Sequence, residues 1–409
     1  MPSLERNIPK FYWYRLTKNA AFHVPILVLF YQSRGLSFSK IMILQSIYYL
    51  ARVISEVPTG ALADRLGRKK SLFIGSLFHS LGYFIIFVSR SFILFNLGEI
   101  LAGMAMSFAS GADSALAYDS LKATNQEARY QQVEGTAYSL RNLAFGLFAP
   151  IGGFLATFNL ALPYLASSLA ILSSGLIALS FFEERTQKQE QFSKRKKIYH
   201  EVKESIKLLR DNKTALWIIL FFALIFLATR LGFWVYQPYM KLVKIPVSLF
   251  GLVFAFLYLV SALISHNVNR IENNLGKSLT LFLMPFLVIL SFILLSRFAY
   301  IWSISFFLLQ AIVMGAFEPV LKNHLNPLVN SEIRATVLSV QSLAGNLLFA
   351  ITAPFLGSLV DSYTILKALL FFAVVVSLLS ISLWWYWVRL SKRKEGFSQK
   401  SDLDSSNLV

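Results

Sequence analysis

The residues able to do chemistry in this chain sit where charge is least expected. Glu99 lies in a long apolar run with no basic residue within a helical turn. A carboxyl group there can take up and give up a proton as its access to water changes. Asp113 follows along the same run, and Glu318 precedes Pro319 in another. These three acids are the candidate proton-coupling groups. Other polar residues recur at helical spacing: Arg15, Asn19 and His23 at steps of four, then Gln45, Tyr49, Arg52 and Glu56 at steps of four, three and four. Glu99, Gly103, Ser110 and Asp113 share a face. Tyr138 with Arg141, Arg230 with Trp234 and Gln237, Gln310 with Glu318 and Lys322, and Gln341 with Asn346 continue the pattern. Such spacing puts side chains on one helix face. An ionisable group in hydrocarbon costs about 2.5–3.5 kcal/mol, so these stripes are expected to line one central aqueous cavity.

Local partners compete with that reading. Arg52 and Glu56 are spaced for an ion pair on one helix. Asp113 has a possible structural partner in Arg141, Glu318 has Lys322 on the next turn, and His23 is equally suited to a neutral, satisfied core position. Arg230 has no acid within a turn, which favours a place in the cavity. Arg52, Arg141 and Arg230 suit an anionic group on a solute, whereas Glu99, Asp113 and Glu318 suit a cationic one.

The elements that must carry these residues follow from composition. The chain has 409 residues, of which 56% are hydrophobic and 15% charged, with a mean hydropathy of +0.58. A soluble domain is nearer one quarter charged. Twelve apolar segments of bilayer-spanning length are expected at 12–33, 39–61, 71–89, 92–118, 135–158, 162–182, 214–238, 248–269, 278–296, 299–321, 335–358 and 364–388. The chain therefore reads as an all-α integral membrane protein. Placing both termini in the cytoplasm puts 27 of the 39 Lys and Arg residues inside and 7 outside. That asymmetry sets the orientation and accounts for the formal charge of +18 without nucleic acid as a partner. No cleavable signal is expected before the first segment, and the chain holds no cysteine for a disulfide or thiolate metal site. Short outer loops without Asn-x-Ser/Thr sequons suit a bacterial inner membrane. Trp13, Trp302 and Trp384 to Trp387 read as interfacial anchors.

The segments divide into an N-terminal six-helix bundle at 1–182 and a C-terminal one at 214–388. The basic linker between them, 183–213, holds ten basic and six acidic residues, and Ile198, Val202, Ile206 and Leu209 recur in it as on an amphipathic helix. The tail at 389–409 reads as disordered. A faint repeat relates the halves: Gly111 precedes Leu121, and Gly315 precedes Leu325, by the same ten residues. An acid-x-Arg follows each, Glu127 and Arg129, then Glu332 and Arg334. Paired halves suit alternating access around a midplane site.

Between the second and third segments lies "GALADRLGRKK", residues 60–70, with four bases, one acid and two glycines. Topology explains Arg65, Arg68, Lys69 and Lys70. It does not explain Asp64, or Gly60 and Gly67, which suit a tight reversal. The stretch resembles the signature loop of the major facilitator superfamily, and the segment count, central loop and two-half symmetry agree. The resemblance implies twelve helices in two pseudo-symmetric bundles, and a cytoplasmic latch in which Asp64 and Arg68 help hold the bundles together. The matching place in the second half, 269–279, keeps Gly276 and Lys277 but has no clean counterpart of Asp64. Drug–proton antiporters of this superfamily usually carry an arginine where Glu99 stands. Their Gly-Pro-x-x-Gly-Gly motif is altered here to "GLFAPIGG" at 146–153. Both departures count against antiport.

These readings converge on a secondary active transporter, not an enzyme, that moves a small organic solute on a proton or ion gradient. The expected solute is a carboxylate, zwitterion or siderophore, taken inward. No cofactor or metal is expected, since no Walker loop or metal-ligand spacing occurs. The expected partners are membrane lipids and the solute, and the chain is expected to act as a monomer. The alternatives are a multidrug efflux antiporter and, further off, a lipid flippase or a non-transporting sensor on the same scaffold.

Overall fold

The computed structural model describes residue 4 and residues 6–183, 209–330 and 333–406. Within lipid the backbone finds no water to bond, so a spanning segment must close its hydrogen bonds on itself as helix. The N-terminal half runs through α1 (Asn7–Lys18), a 3-10 turn at Val24–Ile26, α2 (Leu27–Ser33), α3 (Phe38–Leu66), α4 (Arg68–Val88), α5 (Phe92–Ala109), α6 (Ala112–Lys122), α7 (Tyr130–Phe158) and α8 (Leu162–Leu179). The C-terminal half runs through α9 (Lys213–Leu242), α10 (Val247–Leu275), α11 (Lys277–Arg297), α12 (Phe307–Leu325), α13 (Arg334–Ser362) and α14 (Ile365–Ser406). Among the described residues, ten helical segments are long and apolar enough to cross a membrane. The first apolar segment is broken, and α3 carries Lys40, Gln45, Arg52 and Glu56 along its length; these two lie outside the ten.

The internal symmetry is clearest at two turns. Helices α3 and α4, of 29 and 21 residues, meet at Gly67, and α10 and α11, again of 29 and 21, meet at Gly276. The two glycines hold φ of +88° and +83°, a conformation that a Cβ opposes. Gly60, expected in the turn, lies instead within α3, because one glycine suffices for the reversal. The repeat expected around Gly111 and Gly315 holds less well. Gly111 adopts φ +74° and divides the fourth segment into α5 and α6, whereas Gly315 lies inside an unbroken α12. Glu332 lies outside the described residues.

Two further expectations change. The first segment is not one helix over 12–33: α1 ends at Lys18, and helix resumes only at Val24–Ile26 and α2. Pro25 offers no N–H and disfavours helix at the residue before it. The C-terminal tail, expected to be disordered, continues α14 as helix to Ser406. Its Lys- and Glu-bearing sequence contains no proline and a single glycine, so nothing in it stops a helix. Residues 184–208, where the amphipathic linker helix is expected, lie outside the described residues.

The halves meet along α3 with α13 and along α7 with α10. Gly153 and Gly251 bring the backbones of α7 and α10 together: a Cβ on Gly153 would lie 3.0 Å from the Gly251 nitrogen. On the other pair, Gly357 lies against Ser39 and Met42. These contacts all sit at the end of the molecule remote from Gly67. Ile93, Phe158, Ile351 and Ile381 are between 66% and 77% exposed, as befits a surface solvated by lipid tails.

Candidate functional site

Helix α5 turns Glu99 inward, where it is 5% exposed. Its Oε1 accepts a hydrogen bond from the Tyr31 hydroxyl of α2 at 2.7 Å and another from Gln45 Nε2 of α3 at 2.9 Å. Phe30, Phe95 and Tyr164 wall the group: Tyr31 meets Phe95 with ring centroids 5.2 Å apart, and Phe30 meets Tyr164 at 4.6 Å. Both donors are neutral, and no ion pair forms on Glu99 among the described residues. The carboxyl is therefore held in place without a charge that would fix its protonation state.

Asp113 is built differently. Arg15 and Lys18 of α1 bring their cations to its Oδ2 at 3.3 and 3.1 Å. Arg15 also donates to Ser114 at 2.9 Å and lies 3.5 Å from Glu134. The expected partner, Arg141, is elsewhere, stacked over the Tyr138 ring at 4.4 Å. Spacing along one chain could not show that α1 packs between α6 and Arg141's helix. Glu318 pairs with Lys322 at 2.7 Å, with both side chains more than 40% exposed. The three acids thus occupy three settings: neutral donors, a buried ion cluster and an open ion pair.

On the Gly67 side of the Gly153–Gly251 contact, α7 and α10 leave a gap. Between them lies a cavity of about 400 Å³, lined by Tyr138, Asn142, Tyr258, Ser265 and His266 among others. Tyr258 stacks on Phe145 at 4.8 Å and lies within electrostatic reach of Arg141 and Arg230. Tyr48 lies within reach of Arg52 and Arg230 in the same way. Arg230 packs over Phe226 at 5.2 Å and Phe233 at 5.9 Å. Arg52 and Glu56 do not form the expected ion pair, and none forms on Arg141 or Arg230 among the described residues. Three cations thus lie within electrostatic reach of Tyr48 or Tyr258, and no acid pairs with them among the described residues. Tyr49 closes this region towards the remote end by packing on Phe349 at 5.0 Å.

Several expected cavity residues have other tasks. Gln237 is wholly buried between the halves. Its Oε1 accepts from Val28 N at 2.8 Å and Leu29 N at 3.4 Å, and its Nε2 donates to Val24 O at 2.8 Å. It satisfies the backbone that the break in the first segment leaves open. Gln310, equally buried, accepts from the Tyr236 hydroxyl at 3.0 Å and donates to Ser291 at 2.8 Å. Their stripes are real, but helix neighbours fill the space that a cavity would need. His23 is buried against Tyr83 and Tyr164, with Nδ1 2.9 Å from Ser167 Oγ. Asn19 donates to Arg15 O at 2.6 Å and finishes α1. Trp234, Gln341 and Asn346 are buried. Tyr31, Tyr48, Tyr164 and Tyr258 do not stand out in a sequence that holds 17 tyrosines. Tyr31, at step eight from His23, continued a stripe already visible.

The charged turn forms its own network. Arg68 bonds Asp119 and the Ala115 carbonyl, within its own half. Glu183 caps α4 by accepting from Arg68 N at 2.6 Å and Lys69 N at 3.2 Å. Arg65 is exposed, and the Asp64 side chain lies outside the described residues. At the remote end the halves are tied directly. Asp361, closing α13, accepts from Phe38 N at 2.9 Å and Ser39 N at 2.8 Å, and from the Ser39 hydroxyl. A carboxylate at a helix N-terminus satisfies otherwise open N–H groups.

Comparison with known proteins agrees with this architecture. The Major Facilitator Superfamily model matches residues 19–308. The quinolone resistance protein NorA of Staphylococcus aureus is 28% identical over 151 residues, which span 37% of this chain and 38% of that protein. Multidrug resistance protein 2 of Bacillus subtilis is 25% identical over 202 residues, 49% of this chain and 48% of that protein. The matched stretch thus covers half or less of each relative's length. Among solved structures, the nucleoside transporter NupG superposes with a TM-score of 0.75 at 13% identity, covering 93% of this chain and 98% of that one. A bacterial homolog of the lysosomal transporter Spinster, in an inward-facing and unoccupied conformation, gives 0.74 at 13% identity, covering 95% and 97%.

Proposed function

The chain belongs to the major facilitator superfamily, and on that premise we propose that it is a proton-coupled secondary transporter of a small organic anion or zwitterion. The two halves rock about the contacts at Gly153, Gly251 and Gly357, exposing the central space to one side of the membrane at a time. The Gly67 end is the cytoplasmic one, with both termini on that side of a bacterial inner membrane. Glu99 carries the proton, because its neutral donors tolerate either protonation state. One observation carries the solute class: Arg52, Arg141 and Arg230 lie within electrostatic reach of Tyr48 or of the cavity-lining Tyr258, and no acid pairs with them among the described residues. A solute carboxylate would supply the missing charge, and the tyrosines beside the arginines would hold an apolar body.

Thermal unfolding of the purified full chain, at two pH values, tests this against carboxylates, amino acids, peptides, siderophores and cationic drugs. A ligand of the folded state raises stability by about 2.7 kcal/mol at a hundredfold excess over its dissociation constant. Stabilisation by carboxylates or zwitterions, lost in Arg230→Ala, is the expected result. In liposomes holding that solute, Glu99→Gln should keep binding and lose uptake driven by a pH gradient. Stabilisation by cationic drugs alone would overturn the solute assignment. It would favour the second reading, drug efflux, which the NorA and Bacillus relatives support.

A further inference from the structure

The interior of the N-terminal half holds more ionisable groups than solute binding uses, and they form a file. From Glu99 it passes to Tyr31, whose ring lies 6.1 Å from that of Tyr164. Tyr164 packs at 5.1 Å from His23 and 5.7 Å from Tyr83, and Tyr83 packs at 4.6 Å from His79. His79 lies within electrostatic reach of both His23 and Lys18. Lys18 meets Asp113, Arg15 joins Asp113 to Glu134, and Glu134 is 27% exposed. Seven helices contribute, yet the order follows the first segment. Arg15, Lys18, His23 and Tyr31 climb it in sequence, and the break after Lys18 lies midway.

The file also contains open hydrogen-bonding positions. Among the described residues, the buried His79 Nε2 and Arg15 Nε have no hydrogen-bond partner, and the buried Tyr14 and Tyr164 hydroxyls have at most a loose contact, with Ser76 and Tyr31 respectively. Leaving such an atom unmet costs about 1–3 kcal/mol, so a run of them marks where water bonds. None of these residues lines the cavity between α7 and α10. A purely structural cluster would have paired them, as the neighbouring Ser76 with Ser174 and Ser80 with Ser168 are paired.

We infer that this file is a proton path, separate from the solute cavity, joining Glu99 to the Gly67 face of the membrane through the N-terminal half. The inference rests on Glu99 being the proton carrier. A proton leaving Glu99 passes to water held by the Tyr164 hydroxyl. The His79 imidazole takes a proton on one ring nitrogen and releases one from the other. Asp113 receives it beside Lys18 and passes it on to Glu134 and solvent. One proton moves and no other reactant is needed; His79 is left as its other tautomer and regains the first by turning its ring before the next transfer. Arg15 stays charged and positions Asp113.

The test is time-resolved infrared difference spectroscopy on the reconstituted full chain after a pH jump, with the proton itself as probe. The protonated Glu99 carboxyl is identified as the band lost in Glu99→Gln, and its relaxation is followed in His79→Phe and Tyr164→Phe. Tyr164→Phe removes a hydroxyl whose one protein contact, with Tyr31, is loose, so a structural role predicts no change in the relaxation rate. The expected result is relaxation slowed on the order of a hundredfold in both variants, with the band still present. An unchanged rate in Tyr164→Phe, or in His79→Phe where that variant folds, would overturn the path and show that the solute cavity delivers the proton. A wild-type spectrum with no band sensitive to Glu99→Gln would overturn the carrier assignment, and the path with it.

Discussion

The two halves share a topology but not an interior. In the N-terminal half, Glu99, Asp113, Lys18, His23 and His79 are enclosed among helices. In the C-terminal half, α9 is enclosed by apolar and aromatic neighbours, with Trp217, Phe222 and Tyr239 fully buried. The acid pairs there lie near the Gly276 end: Glu318 with Lys322 at 2.7 Å, and Glu272 with His324 at 2.6 Å. The equivalent first helices differ in the same sense, since the first segment of one half is broken and α9 is continuous. Symmetry of fold thus leaves room for a division of labour. On the proposed reading, one half would handle the proton and the other would bring Arg230 to the solute.

Removing one acid from each half exposes this contrast most strongly. Asp113→Asn leaves Arg15 and Lys18 buried without their partner and should cost about 3–5 kcal/mol, read as a large fall in thermal midpoint. A small fall would mean that solvent reaches the cluster and that the N-terminal interior is less enclosed than the structure shows. Gln237→Leu should come next, at about 1–3 kcal/mol, because the Val28 N–H loses its acceptor. The same change should speed hydrogen exchange in α2 while leaving α9 protected. Glu318→Gln should cost less than about 1 kcal/mol, since its ion pair is exposed to solvent. A loss as large as that for Asp113→Asn would erase the distinction between the halves.

The sequence showed the spans well because lipid demands long apolar helices, and the positions of α4, α8 and α11 came within a few residues of expectation. It also showed Glu99, whose isolation among apolar residues is a one-dimensional fact. Pairing was less legible. Asp113 chose Arg15 and Lys18 over Arg141, and Arg68 bonded Asp119, because the choice depends on which helices pack side by side. Pro25 and Gly111 did advertise their breaks, but an apolar run hides a local stop when only hydropathy is followed. His79, alone in the apolar run of α4, was equally visible and was passed over.

Gln237 has a consequence for how the chain is made. The gap in the first segment is closed by a side chain that lies 209 residues beyond Val28 and 213 beyond Val24. Unbonded backbone groups within a bilayer cost several kcal/mol each. While the N-terminal half alone has left the ribosome, that segment has no permanent partner for Val28 N or Val24 O. Its middle must therefore stay pliable, or lean on passing water, until α9 arrives. Biogenesis would then finish the oldest helix only after the seventh expected span has been inserted, and a chain truncated before Gln237 would carry an unfinished first segment however completely its own half had been translated.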